Sequence, residues 1–145
     1  VDIYYLWQMY KEKDYFTLSP ADGPQDNYLN KFVDYYRDDI SSFFPEFKIA
    51  DHPNANYYFI LRNMVPAGLF VFEERTADTI YILLDYATPD YRDLKNAKFL
   101  YFTADFMESK GYKRLITESH HEIHDKYLKA LGFERVDENE FQKVL

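Results

Sequence analysis

Apolar and polar positions alternate along this chain in two distinct rhythms. From residue 27 to 44 the apolar residues Leu29, Phe32, Val33, Tyr36, Ile40, Phe43 and Phe44 recur at intervals of three and four. That is the spacing of one buried helix face, and it predicts a single amphipathic helix that Pro45 closes or kinks. Upstream, residues 15–18 read as a strand ending at Ser19-Pro20, and Asp22-Gly23-Pro24 marks a turn. Residues 51–56 read as a loop, and three strand-like runs follow over 57–62, 67–74 and 79–86. The connections 63–66 and 75–78 are short enough for hairpins, so these strands are expected to be antiparallel. Helical spacing returns with Leu94, Ala97, Leu100, Tyr101, Ala104 and Met107, and Gly111 stands at the expected C-terminal cap. Residues 113–118 then read as a strand and 121–131 as a helix ending at Gly132. Two last strands are expected over 133–136 and 141–145, turned at 137–140.

The order of elements limits the architecture. A strand, a helix and a strand in succession over 79–118 require a parallel pair inside an otherwise antiparallel sheet. The expected fold is a mixed α/β domain spanning 15–145, preceded by a separate helix over 1–14. A chain of 145 residues fits one such domain. Aromatic residues make up 20% of it, and their large apolar areas supply an adequate core despite the short length.

Charge and composition narrow the chemistry. The absence of cysteine excludes a disulfide scaffold, a thiolate zinc site and a cysteine nucleophile. A net charge of −8 disfavours nucleic acid as a partner, because binding there requires a positive face to displace condensed counterions. Against that balance, residues 92–114 carry six basic side chains (Arg92, Lys95, Lys98, Lys110, Lys113, Arg114) and three acidic ones. This local excess fits either a small anion or a solvated helix face. At the start of the chain, Tyr4, Tyr5, Trp7 and Tyr10 stand beside Lys11 and Lys13. Aromatics followed by lysines are how a membrane-spanning helix leaves the bilayer. The cluster therefore reads as juxtamembrane, attached to an upstream membrane segment and cytoplasmic, or as an amphipathic helix packed on the domain.

Two motifs at compatible spacing resemble a known family. Tyr86-Ala87-Thr88-Pro89-Asp90-Tyr91-Arg92-Asp93-Leu94-Lys95-Asn96-Ala97-Lys98-Phe99-Leu100 is similar to the central motif of the GNAT superfamily of N-acetyltransferases. There a strand ends in a Pro-x-Tyr-Arg turn, and a glycine-rich loop beginning at that arginine opens a helix. Leu128-Lys129-Ala130-Leu131-Gly132-Phe133-Glu134 resembles the second signature, a helix end of the form Tyr-x-x-Leu-Gly-Phe. The resemblance covers about residues 57–136. It implies the GNAT-like acyl-CoA N-acyltransferase fold, with one parallel pair splayed at the cofactor cleft. It further implies acetyl-CoA or CoA as cofactor, and Ala87, Arg92, Lys95, Asn96, Ala97 and Lys98 as the residues that hold it. The substrate implied is a primary amine, on a small molecule or a peptide. A helix N-terminus, with unpaired N–H groups and partial positive charge, suits the pyrophosphate of such a cofactor.

This chain departs from the family at two points. Lys95 stands where the family's loop has its first glycine; its Cβ either obstructs close backbone approach or its ammonium replaces the glycine as a phosphate contact. The family's tyrosine, which protonates the departing CoA sulfur, aligns with Leu128, and Tyr127 stands next to it, about 100° around the helix. Tyr127 is the candidate for that proton. For the general base that takes a proton from the amine, Glu73, Glu74, Asp85 and Glu118 fall at strand ends, and Glu118 is the first choice. His120, His121 and His124 lack the spacing of the His-Glu-x-x-His zinc motif, so no metal site is assigned. Three readings follow: an acyl-CoA-dependent N-acyltransferase, a non-catalytic domain of that fold that senses acyl-CoA or binds a partner, and a structural tail of a membrane protein.

Overall fold

The computed structural model describes residues 16–92 and 98–145, with residues 98–103 described by backbone alone. The expected helix over 1–14, and Lys95, Asn96 and Ala97, lie outside the described residues. The elements in chain order are β1 (Phe16–Ala21), α1 (Asn27–Tyr35), α2 (Arg37–Phe43), β2 (Asn56–Arg62), β3 (Val65–Thr76) and β4 (Thr79–Ala87). They continue with α3 (Lys98–Ser109), β5 (Arg114–Glu118), α4 (Glu122–Ala130), β6 (Glu134–Arg135) and β7 (Glu140–Val144). The strands form one seven-stranded sheet in the order β1-β2-β3-β4-β5-β7-β6. Every pairing is antiparallel except β4 with β5. This is the mixed sheet with one parallel pair that the element order requires.

The sheet is covered on both faces. On one side Leu29 and Val33 of α1 and Ile40 of α2 pack with Tyr57, Leu69, Val71, Leu84 and Tyr86. On the other, Met107 of α3 and Leu128 of α4 pack with Phe70, Phe72, Ile80, Ile82, Leu115 and Phe141. Strand β4 contributes to both cores because its register slips. Leu84 faces Val71 and Ile82 faces Phe72, so Leu83 has no partner on β3. This is a β-bulge, which adds a residue to one strand and reverses which side chains reach each face beyond it. Ile80 and Ile82 therefore lie under α3 and α4, whereas Leu84 and Tyr86 lie under α1 and α2.

Three expectations from the sequence are corrected. The helix expected over 27–44 breaks at Tyr36 (φ −101°, ψ 17°) into α1 and α2. The apolar spacing continues through the break, so the sequence pattern does not register it. The turned Tyr36 ring packs on Phe32, Tyr35 and Tyr86 at centroid distances of 4.9, 4.7 and 5.9 Å. Strand β1 does not stop at Ser19-Pro20 but pairs through Ala21 with β2. As an edge strand it tolerates the missing N–H of Pro20. The strand expected over 133–136 shortens to Glu134–Arg135. At the β2–β3 turn Asn63 and Met64 both adopt positive φ (50° and 69°), the twist a two-residue hairpin requires.

Candidate functional site

Strands β4 and β5 are bonded only from Thr79↔Arg114 to Ile82↔Thr117. Beyond that point β4 runs on to Ala87 while β5 ends at Glu118, so the parallel pair parts at the bulge. The Thr117 hydroxyl donates to the Ile82 carbonyl at 3.2 Å, the last link before the gap. A gap at the carboxyl ends of parallel strands is where open α/β sheets place ligands.

On the α1–α2 side of the gap lies a cavity of about 370 Å³. It is lined by Phe44, Pro45, Glu46 and Phe47 after α2, by Asp51 and His52, and from the sheet side by Tyr81, Ile82 and Leu83 of β4 with Glu118 and His120 at the end of β5. Phe47 stacks on the His52 ring (15° between planes), and His52 Nδ1 lies 3.4 Å from Glu73 Oε1. Burial, with the neighbouring Glu118 carboxylate adding to it, pushes the Tyr81 phenol's pKa well up. His120 Nε2 lies 3.4 Å from Glu118 Oε2. Glu118 thus lines the cavity from the sheet side, exposed enough to meet a ligand, with Tyr81 and His120 as neighbours. The cavity wall itself was missed from sequence. The segment Phe43-Phe44-Pro45-Glu46-Phe47, aromatic and acidic just after a helix, carries the signal.

On the α3–α4 side the gap holds a buried acid. Asp85 pairs in register with Phe70, a member of the α3–α4 core, so its side chain lies on that face. The residue keeps some surface, but its Oδ2 is sealed from solvent with no hydrogen-bond partner among the described residues. Burial raises its pKa to about 7. Helix α4 supplies a second orphan. His124 is 7% exposed, its Nδ1 has no partner among the described residues, and burial lowers its pKa to about 4. The rings of His121 and His124 meet Phe43 and Phe44 at 5.1 and 5.0 Å, so the start of α4 docks on the end of α2. His121 is the N-cap of α4, its Nδ1 accepting from the Ile123 N–H at 3.1 Å. Among the described residues no group of histidine and acidic side chains could hold a metal ion.

The other residues singled out from sequence fall around the same gap. Ala87 ends β4 half-buried against the α3–α4 core, and its carbonyl accepts from Arg92 Nη2 at 3.0 Å. The Arg92 guanidinium is ion-paired with Asp39 of α2 and lies 5.0 Å over the Phe43 ring. The Tyr86 hydroxyl donates to the same Asp39 oxygen at 2.6 Å. Arg92 therefore faces α2 and fastens the turn after β4. Lys98 is the first residue of α3. Leu128 is 2% exposed in the α3–α4 core, and Tyr127 packs half-buried against that core. Both lie on the inward stripe of α4.

No protein-family model and no curated protein matches the sequence. Solved structures do match. The N-acetylglutamate synthase of Neisseria gonorrhoeae, complexed with coenzyme A and N-acetyl-glutamate, superposes with a TM-score of 0.66 at 12% identity. The match covers 90% of this chain but 35% of that longer one. An acetyltransferase of Streptococcus agalactiae gives 0.66 at 13% identity, over 90% of this chain and 98% of that one. A GNAT family acetyltransferase of Elizabethkingia anophelis with acetyl-CoA bound gives 0.65 at 15% identity, with the same coverages of 90% and 98%. The chain has the GNAT N-acetyltransferase fold.

Proposed function

We propose that this domain is an acyl-CoA-dependent N-acyltransferase that acts on a primary amine. The observation that carries the reading is the parting of β4 from β5 at the Leu83 bulge, with a cavity on one face and the orphaned Asp85 carboxyl on the other. A buried polar atom without a partner beside an open strand edge fits a ligand that completes both. When bound, acetyl-CoA supplies a thioester carbonyl that the amine nitrogen adds to as the C–S bond breaks. The cofactor's phosphates would be held where residues 92–98 lead into α3, by Lys95, Asn96, Ala97 and Lys98, with Ala87 at the strand end and Arg92 fastening the turn. Glu118, on the sheet side of the cavity, takes the ammonium proton so that the nitrogen lone pair is free. Tyr127 holds the proton that the departing sulfur takes. Glu118 is preferred over Asp85 as base because it faces the cavity where an amine enters; Asp85 lies on the opposite face.

A second reading has a specific observation in its favour. The position where the family has its tyrosine is Leu128, sealed in the core, which favours a domain that binds acyl-CoA without turning it over. Acetyl-CoA is expected to raise the melting temperature under both readings. At about 100 times its dissociation constant a native-state ligand adds roughly 2.7 kcal/mol, and each kcal/mol is worth about 2–4 °C at this size. Lys98→Glu is expected to reduce the shift, and Lys110→Glu, at the far end of α3, to change it much less. Lys95→Gly strengthens binding if the side chain obstructs the loop and weakens it if the ammonium contacts a phosphate. CoA release on adding amines separates enzyme from sensor, and Tyr127→Phe should slow it at least tenfold. A melting curve unmoved by saturating acetyl-CoA rejects both readings.

A further inference from the structure

The cavity beside the gap is electrostatically one-sided. Among the described residues its lining includes three carboxylates, Glu46, Asp51 and Glu118, two histidines, His52 and His120, and no lysine or arginine. Glu118 is engaged by Tyr81 and His120, but neither Glu46 nor Asp51 has an ion pair among the described residues. Phe44 and Phe47 supply apolar rings on the same wall, surfaces that suit a methylene chain and the face of a cation. A volume of about 370 Å³ is at the small end of ligand sites and admits a short chain. A ligand with a carboxylate or phosphate would meet only the imidazoles of His52 and His120, each already beside a carboxylate (Glu73 and Glu118), while the like charge of Glu46 and Asp51 disfavours it. The Neisseria protein, whose ligand N-acetyl-glutamate carries carboxylates, therefore offers no guide to the acceptor here.

We infer that the acceptor is a short dicationic amine, a linear diamine in chemical class. One nitrogen lies at Glu118 and the second ammonium is held by Glu46 and Asp51. This rests on the reading of the gap as an acyl-transfer site, since that reading makes the cavity the acceptor's entrance. Glu46 and Asp51 are then specificity residues, which hold the non-reacting end and leave the chemistry untouched.

Three probes of equal chain length isolate the charge: 1,4-diaminobutane, butylamine and 4-aminobutanoate. Calorimetric titration into the full chain at neutral pH needs no cofactor. The diamine is expected to bind at least tenfold more tightly than butylamine, and 4-aminobutanoate more weakly than either. Glu46→Gln combined with Asp51→Asn should bring the diamine down to butylamine's affinity and leave butylamine unchanged; both positions are exposed, so the fold is not at risk. Equal affinities for diamine and butylamine, or preference for 4-aminobutanoate, would overturn the inference. The two failures separate cleanly. If acetyl-CoA does not bind but the ranking of amines holds, the diamine site stands and acyl transfer falls. If acetyl is transferred equally well to 4-aminobutanoate, acyl transfer stands and the diamine site falls.

Discussion

At the scale of single residues, two buried groups titrate in opposite senses. Asp85 is neutral in the folded state up to a pKa of about 7, whereas an unfolded aspartate ionises near 3.8. Between those values the unfolded chain has released a proton that the folded chain retains, so this group's contribution to stability falls as pH rises. His124 runs the other way. It is neutral when folded down to about pH 4 and takes up a proton near 6.5 when unfolded, so its contribution rises with pH across that window. From about pH 4 to 6.5 the two nearly cancel in the intact protein, and each can be exposed by removing the other. Relative to the unsubstituted chain, Asp85→Asn should gain stability steadily from pH 4 to 7, on the order of 3 kcal/mol at the top. His124→Gln should lose stability from pH 4 to 6.5 by a similar order. Urea denaturation across this range measures both differences, with the titration of every shared group subtracted. Differences that are flat with pH would mean that neither group is held neutral.

At the scale of elements, the site is made by irregularities, and these are what the sequence pattern conceals. The strands and helices themselves were legible because apolar spacing of two or of three and four reports which face is buried. The parallel β4–β5 pair followed from the order of elements alone. The bulge at Leu83 was not legible, since burial along β4 keeps alternating through it while the side chains exchange faces. The break at Tyr36 was hidden in the same way, because helical spacing survives a kink. Arg92 was found as part of a motif, but its partner is 53 residues away in sequence, and no local pattern reports such a pairing. That pairing is testable. The Arg92–Asp39 bond, partly shielded and shared with Tyr86, should show a coupling of about 1–2 kcal/mol in a double-mutant cycle with Arg92→Ala and Asp39→Asn. Removing the negative charge of Asp39 favours an anionic cofactor by simple electrostatics. If Arg92 acts by fastening the turn, however, Asp39→Asn should weaken acetyl-CoA binding nearly as much as Arg92→Ala. Acetyl-CoA binding that is unchanged or tighter in Asp39→Asn would instead make Arg92 a direct phosphate contact.

At the scale of the whole molecule, the charge of −8 and the basic excess over residues 92–114 act over different distances. At an ionic strength of about 0.01 M the screening length is about 30 Å, and a ligand approaching any face senses the entire chain. At about 0.15 M it shrinks to about 8 Å, and only the local groups matter. Acetyl-CoA carries several negative charges, so at low salt it is repelled by the molecule before it meets the lysines around α3. A small cationic amine is attracted by both the whole molecule and the acidic cavity wall. Raising salt from 0.01 to 0.15 M should therefore leave acetyl-CoA binding unchanged or improve it, while amine binding weakens severalfold. Association rates should respond more strongly than dissociation rates, because long-range charge acts mainly on encounter. Stopped-flow binding of each ligand across this salt range makes the comparison. If acetyl-CoA binding weakens as salt is raised, contact with the basic segment outweighs the net charge even at long range; if amine binding does not change with salt, steering of the amine by the acidic surface is rejected.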